Sequence, residues 1–156
     1  MRAGDLEAVV AVAATAFPDH PEGRACFAER LALSPATCFA LAEDDAPACG
    51  YLIAYPWPFG EVPPLDCLIG SLPERSDTLY LHDLALAPEA QGRGLTGPAL
   101  DRLTAQAAGH ARIALVSVNG SVPFWRRHGF AVVDSPALRA KLATYGPGAR
   151  YMARPL

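Results

Sequence analysis

Two short stretches of this chain carry residues of the types that do chemistry. Tyr80 and His82 stand two apart in "TLYLHDLAL", and soon afterwards "QGRGLTGPAL" places Gly92, Gly94 and Gly97 in the order G-x-G-x-x-G. A histidine titrates near neutrality and so can take or give a proton at physiological pH. A loop without β-carbons can aim successive backbone N–H groups at one point, at the positive end of a following helix, which suits a phosphate. The loop therefore holds a dinucleotide, holds another pyrophosphate, or merely caps its helix.

These residues need elements to position them. Gly4 to Phe17 reads as a first helix with Asp5 as its N-cap, and "AFPDHPEG" breaks it with two prolines. Arg24 to Leu33 is a second helix, ended by Ser34-Pro35. "TCFALAED" and "CGYLIAYPW", joined by "DDAPA", read as an antiparallel hairpin. The proline-rich excursion "PFGEVPPLDCLIGSLPERSD" is long enough to be a substrate-side flap. Thr78–Leu86 is the strongest strand, and a helix follows the glycine loop from about Gly97 to His110, with Thr96 as N-cap and Pro98 in its first turn. "ARIALVSV" reads as a strand covered on both faces, "SVPFWRRHGF" as a short helix capped by Ser121 and stopped by Gly129. "AVVDS", a link containing "YGPG", and "ARYMARPL" supply two closing strands. The expected fold is one α/β (α+β) domain over residues 1–156, with a mixed, mostly antiparallel central sheet flanked by helices.

Composition narrows the partners. At 156 residues, one domain must hold everything. A formal charge of −3 argues against a nucleic-acid binder, and no apolar run is long enough for a transmembrane helix. Cys26, Cys38, Cys49 and Cys67 form no C-x-x-C pair, and no histidine stands at zinc-ligand spacing, so no metal is expected. Buried thiols and the absence of a basic leader point to a cytoplasmic protein, a monomer or homodimer. A dinucleotide site needs its glycines tight after the first strand and an acidic residue about 20 positions on. Here Ala87 to Gln91 intervene, and no Asp or Glu lies between Asp101 and Asp134.

The run "LHDLALAPEAQGRGLTGPAL" resembles the acetyl-CoA motif of the GNAT N-acetyltransferase superfamily, and "NGSVPFWRRHGF" resembles the same family's second signature. Within it, "LYLHDLALAP", "QGRG" and "VPFWRRHGF" are most similar to the serotonin-type arylalkylamine N-acetyltransferases and their bacterial relatives. The resemblance implies acetyl-CoA as cofactor. It implies that backbone groups of Leu84, Ala85 and Leu86 pair with the pantetheine arm like an added strand. It also implies that N–H groups of Gln91, Gly92, Arg93, Gly94, Leu95 and Thr96 hold the pyrophosphate, with Asn119 near the pantetheine. The chain departs from the family pattern at Thr96, where Gly or Ala is preferred, and in the spacing from Asn119 to the pair Phe124–Trp125, one residue shorter than usual.

On a strand, alternate residues share a face, so Tyr80, His82, Leu84 and Leu86 are expected on one side and Asp83 on the other. The resemblance makes His82 the base that deprotonates an amine; the plainer reading has it bonding a core carbonyl. Asp83 either bonds a neighbouring loop or attracts a cationic amine. The family's usual proton donor to the leaving thiolate is a tyrosine where this chain has Trp125, whose indole N–H has no accessible acidity. Tyr145 and Tyr80 are the substitutes, unless the thiolate leaves unassisted or Trp125 only packs on the pantetheine. Trp57, Phe59 and Phe17 are candidate aromatic walls for an acceptor, and Asp19 and Glu22 candidate attractors of its ammonium. The expected activity is acetyl transfer from acetyl-CoA to a small primary amine, arylalkylamine or polyamine-like, by direct attack. Acetylation of a protein N-terminus or lysine, and a coenzyme A-binding module with little catalysis, are the alternatives.

Overall fold

In the computed structural model, which describes residues 1–43 and 46–156, the apolar runs form one six-stranded sheet. Its strands are β1 (Cys38–Leu41), β2 (Gly50–Pro56), β3 (Thr78–Leu86), β4 (Arg112–Ser117), β5 (Ala131–Val132) and β6 (Arg150–Pro155), in the order β1-β2-β3-β4-β6-β5. Helices α1 (Leu6–Ala16), α2 (Arg24–Leu33), α3 (Thr96–Gln106), α4 (Val122–Arg127) and α5 (Pro136–Leu142) cover it. The turn of the expected first hairpin falls partly on Asp44 and Asp45, outside the described residues.

The sheet divides the core in two. Tyr51, Ile53 and Tyr55 of β2 face α1, α2 and α5, packing with Val9, Phe27 and Leu138. Leu52 and Ala54 face the other way, with Leu79 and Leu81 of β3, Leu103 of α3 and Trp125 of α4. This is why β2 reads as a continuous apolar run: both faces are covered.

Every neighbouring pair of strands is antiparallel except β3 and β4. Their parallel pairing is confined to Thr78↔Arg112, Leu79↔Ile113 and Tyr80↔Ala114. Past Tyr80 each follows its other partner, β3 staying with β2 as far as Leu86↔Gly50 and β4 with β6 as far as Ser117↔Arg150. The two strands therefore diverge and open a cleft in the middle of the sheet.

Several boundaries differ from expectation for local reasons. A short turn, Ala3–Asp5, winds ahead of α1, and the Asp5 carboxylate accepts the Arg2 N–H (2.6 Å) instead of capping α1. Thr96 is the first residue of α3, not its cap, because Leu95 already has helical dihedrals, and the helix ends at Gln106. The Ser121 hydroxyl donates to the Val118 carbonyl (2.7 Å) and caps nothing. The link before β6 contains the unexpected helix α5, whose Ser135 cap accepts the Leu138 N–H with Pro136 in the first turn. That pairing of a serine cap with a first-turn proline was legible in "DSPALRAKL".

Candidate active site

A cavity of about 530 Å³ occupies the cleft between β3 and β4. Its floor comes from Tyr80 through Leu86 on β3, and its far wall from Leu115, Val116, Val118 and Asn119 on and after β4. Gln91 and Thr96, at the two ends of the glycine loop, reach it, as do Phe124 and Trp125 of α4. The other side is closed by Phe17, His20 and Glu22 from the end of α1 and the loop after it, by Leu65 of the excursion, and by Tyr145.

Beyond Tyr80 no strand pairs with β3 on its β4 side among the described residues. Leu84, Ala85 and Leu86 therefore present an unpaired edge to the cavity, broken only by the Gln91 side-chain amide donating to the Leu86 carbonyl (3.3 Å). Gly92 and Gly94 take positive φ, +72° and +74°, with open space where a β-carbon would stand. Their role is conformational: the left-handed backbone turns the loop into the start of α3. Gly92, Arg93, Gly94 and Leu95 do not line the cavity itself; Arg93 pairs with Glu43 across the loop. Asn119 has φ +52° in the turn leaving β4 and lies on the cavity wall.

The face expected for Asp83 requires correction. The pairing of β2 with β3 slips between Ile53, opposite Asp83, and Ala54, opposite Leu81, so His82 is an extra residue in β3. A bulge of this kind breaks the alternation of faces. Tyr80 before it and Ala85 after it both belong to the α1–α2 side, while Leu84 packs on the other. His82 and Asp83 are thus brought together instead of apart. With Glu22 they form a cluster whose ligand atoms lie within 4.8 Å of one another.

His82 is bonded at both ring nitrogens. Its Nε2 lies 2.6 Å from Glu22 Oε2 and its Nδ1 3.1 Å from the Tyr55 hydroxyl. Burial pushes the Tyr55 phenol well above its ordinary value, so in the neutral ring the phenol donates to Nδ1 and Nε2–H donates to the carboxylate. The side chains of His82 and Glu22 are only 4% and 5% exposed. Burial alone would lower His82, but the Asp83 carboxylate and the bond to Glu22 outweigh it and hold the imidazole above its ordinary value. Burial opposes ionisation of Glu22, yet its bond to His82, together with the Asp66 N–H, holds it below the ordinary range. Asp83 is raised chiefly by burial and accepts the Tyr51 hydroxyl (2.9 Å).

The tyrosines considered for the leaving thiolate are placed differently. Tyr80, 3% exposed, lines the cavity with its ring 6.3 Å from that of His82, and burial raises its phenol. Tyr145 donates its hydroxyl to the Pro63 carbonyl (3.2 Å), and burial pushes it up to about 12. Trp125 stands edge-on to Phe124 and Phe130 at the cavity wall.

Of the acceptor residues expected, Phe17, Glu22 and Asp83 reach the cavity; Trp57, Phe59 and Asp19 do not. Trp57 packs on Tyr55 as β2 ends, its backbone N–H donating to the Thr78 carbonyl at the start of β3. Phe59 stands edge-on to Tyr151 under the Arg112 guanidinium, and Asp19 is exposed. The excursion still contributes, through Leu65 at the wall and through Pro63 and Asp66, which anchor Tyr145 and Glu22. Sequence reading missed Tyr51, Tyr55, His20 and Asp66. Tyr51 and Tyr55 had a signal, four apart on one face of the strand that pairs with β3; the other two had none.

The model of the acetyltransferase (GNAT) family matches residues 6–130. Among solved structures, Ard1 from Thermoplasma volcanium superposes with a TM-score of 0.77 at 13% identity, over 100% of this chain and 94% of that one. N-acetylglutamate synthase from Neisseria gonorrhoeae, complexed with coenzyme A and N-acetyl-glutamate, gives 0.72 at 17% identity, over 98% of this chain and 33% of that one. Rv2747 from Mycobacterium tuberculosis, in complex with CoA and NLQ, gives 0.69 at 14% identity, over 99% and 96%. At these identities the likeness concerns the fold. No curated protein matches the sequence.

Proposed function

Because the chain belongs to the acetyltransferase (GNAT) family, with acetyl-CoA as the acetyl donor, we propose that its acceptor is the primary amine of a small molecule, attacked directly in a ternary complex. The observation that carries this reading is the charge of the cavity. His82, Glu22 and Asp83 stand on its wall, and among the described residues no Lys or Arg lines it. An ammonium is attracted there, whereas an acceptor bearing carboxylates, such as would yield the N-acetyl-glutamate held by the Neisseria synthase, meets like charge.

In this reading the unpaired edge of Leu84–Leu86 takes the pantetheine arm as an added strand, and the loop from Gln91 to Thr96 takes the pyrophosphate at the N-terminus of α3. Asn119, Phe124 and Trp125 flank the arm. The ammonium gives a proton through water to His82 Nδ1, the Tyr55 hydroxyl turning to accept the N–H so formed. The freed amine attacks the thioester carbonyl carbon, and the C–S bond breaks as the proton left over on the attacking nitrogen passes through water to the departing thiolate. Tyr80 is the phenol placed to meet that thiolate, since Tyr145 spends its proton on Pro63. The reaction belongs in the cytoplasm, consistent with four free cysteines.

Thiol release from acetyl-CoA across phenethylamine, tryptamine, spermidine, glutamate and a short peptide tests the reading. Release with the carboxylate-free small amines is the expected result. Release with glutamate or the peptide alone would overturn the acceptor class while leaving the family chemistry in place.

A further inference from the structure

Asp66 lies in the excursion between β2 and β3, a segment without helix or strand, yet it is one of two non-glycine residues with positive φ among the described residues, at +47°. L-residues take this conformation at an energetic cost, which asparagine and aspartate bear best. In Asp66 it turns two groups toward the loop between α1 and α2. Its N–H donates to Glu22 Oε1 (2.9 Å), and its Oδ1 accepts the Gly23 N–H (2.8 Å), so the two segments grip each other in both directions. The Cys26 thiol also donates to Oδ1 (3.7 Å). Glu22 then offers its second oxygen to His82 Nε2.

We infer that Asp66 is a positioning residue: by holding Glu22 with its backbone N–H and gripping Gly23 with its carboxylate, it keeps the Glu22 carboxylate seated on the His82 imidazole. The inference rests on His82 being the base of the proposed reaction. Glu22 sits on a loop, and its side-chain hydrogen-bond partners are His82 and the Asp66 N–H alone among the described residues. The excursion has independent anchors on α2, with the Ile69 and Gly70 N–H groups on Glu29 and the Cys67 carbonyl on Arg30. Changing the Asp66 side chain therefore removes the grip on Gly23 and the residue suited to this backbone turn, loosening the hold on Glu22 without releasing the segment.

The titratable and charged groups around His82 are Glu22 from the loop after α1, and Arg30 and Cys26 from α2. Tyr51 and Tyr55 face it from β2, Tyr80 and Asp83 from β3, and His20 and Tyr145 from across the cavity. Asp66 acts on His82 through the first of these, Glu22.

The test is an NMR titration of the His82 ring in the whole protein, assigned with His82→Gln, alongside the pH profile of kcat/KM. In Asp66→Ala the titration midpoint is expected to fall toward that of an ordinary histidine, in the same direction as in Glu22→Gln. The variant's kcat is expected to drop about tenfold through misorientation of the base, with KM for acetyl-CoA unchanged. Asp66→Asn, which keeps the backbone preference and the acceptor oxygen, is expected to restore both readouts; Asp66→Gly, which accepts the positive φ but lacks the oxygen that holds Gly23, stands in if Asp66→Ala does not fold. An unchanged His82 midpoint in folded Asp66→Ala overturns the inference. Full turnover by His82→Gln would instead overturn the role of His82 as base, a result the titration does not depend on.

Discussion

At His82 the two hydrogen bonds decide how the ring behaves as a base. A neutral imidazole is the active form, and Glu22 and Asp83 stabilise the protonated one, so kcat/KM is expected to rise with pH through an apparent value above the ordinary 6.5. Glu22→Gln removes one stabilising charge and shifts that limb to lower pH; a shift upward would sink the assignment. His82→Gln is expected to lower kcat about 100-fold or more, with coenzyme A binding retained by calorimetry. Tyr145 makes the contrasting case. Its hydroxyl holds Pro63, so Tyr145→Phe is expected to leave kcat within about twofold while costing about 1 kcal/mol of stability, measured by urea unfolding. A large loss of kcat would return Tyr145 to the chemistry.

The elements matter through where they stop pairing. β3 and β4 share only three residue pairs, and the edge left on β3 is the proposed seat of the pantetheine arm. The glycine loop beside it depends on left-handed backbone at Gly92 and Gly94. A β-branched residue there costs about 1–2 kcal/mol, so Gly94→Val is expected to raise KM for acetyl-CoA about tenfold while leaving the acceptor KM unchanged in initial-rate kinetics. Gly50 serves the same edge from behind. A β-carbon on it would approach the Ala85 carbonyl oxygen to 2.9 Å and Leu86 Cδ2 to 2.5 Å. Gly50→Ala must push β2 off β3, with an expected loss of about 1–3 kcal/mol on denaturant unfolding.

Over the whole molecule, the Glu22–His82 pair joins the loop after α1 to the middle of the sheet across 60 positions of sequence. Glu22 is held below its ordinary 4.5 and His82 above its ordinary 6.5. Each contributes fully between those ordinary values; the stabilisation is lost as pH falls through the lowered Glu22 value or rises through the raised His82 value. The melting-temperature difference between the native chain and Glu22→Gln is therefore expected to be larger near pH 5.5 than near pH 9, a window set by the same principle; a constant difference would mean that the pair adds no pH-dependent stability. Much of this architecture was legible in the residues. Thr78–Leu86 and Arg24–Leu33 match their elements to the residue, because hydrophobic periodicity, prolines and glycines act locally. The glycine loop and the strand with Tyr80 and His82 were recognisable for the same reason, as motifs whose parts lie close in the chain. What only the tertiary structure decided is which side chains meet. A bulge at His82, set by how β2 pairs with β3, turned Asp83 toward the histidine, and packing of distant loops brought Glu22 and Asp66 to it while leaving Trp57 and Phe59 elsewhere. Local propensity determines elements; the partners of a buried charge are determined by which surfaces the folded chain presses together.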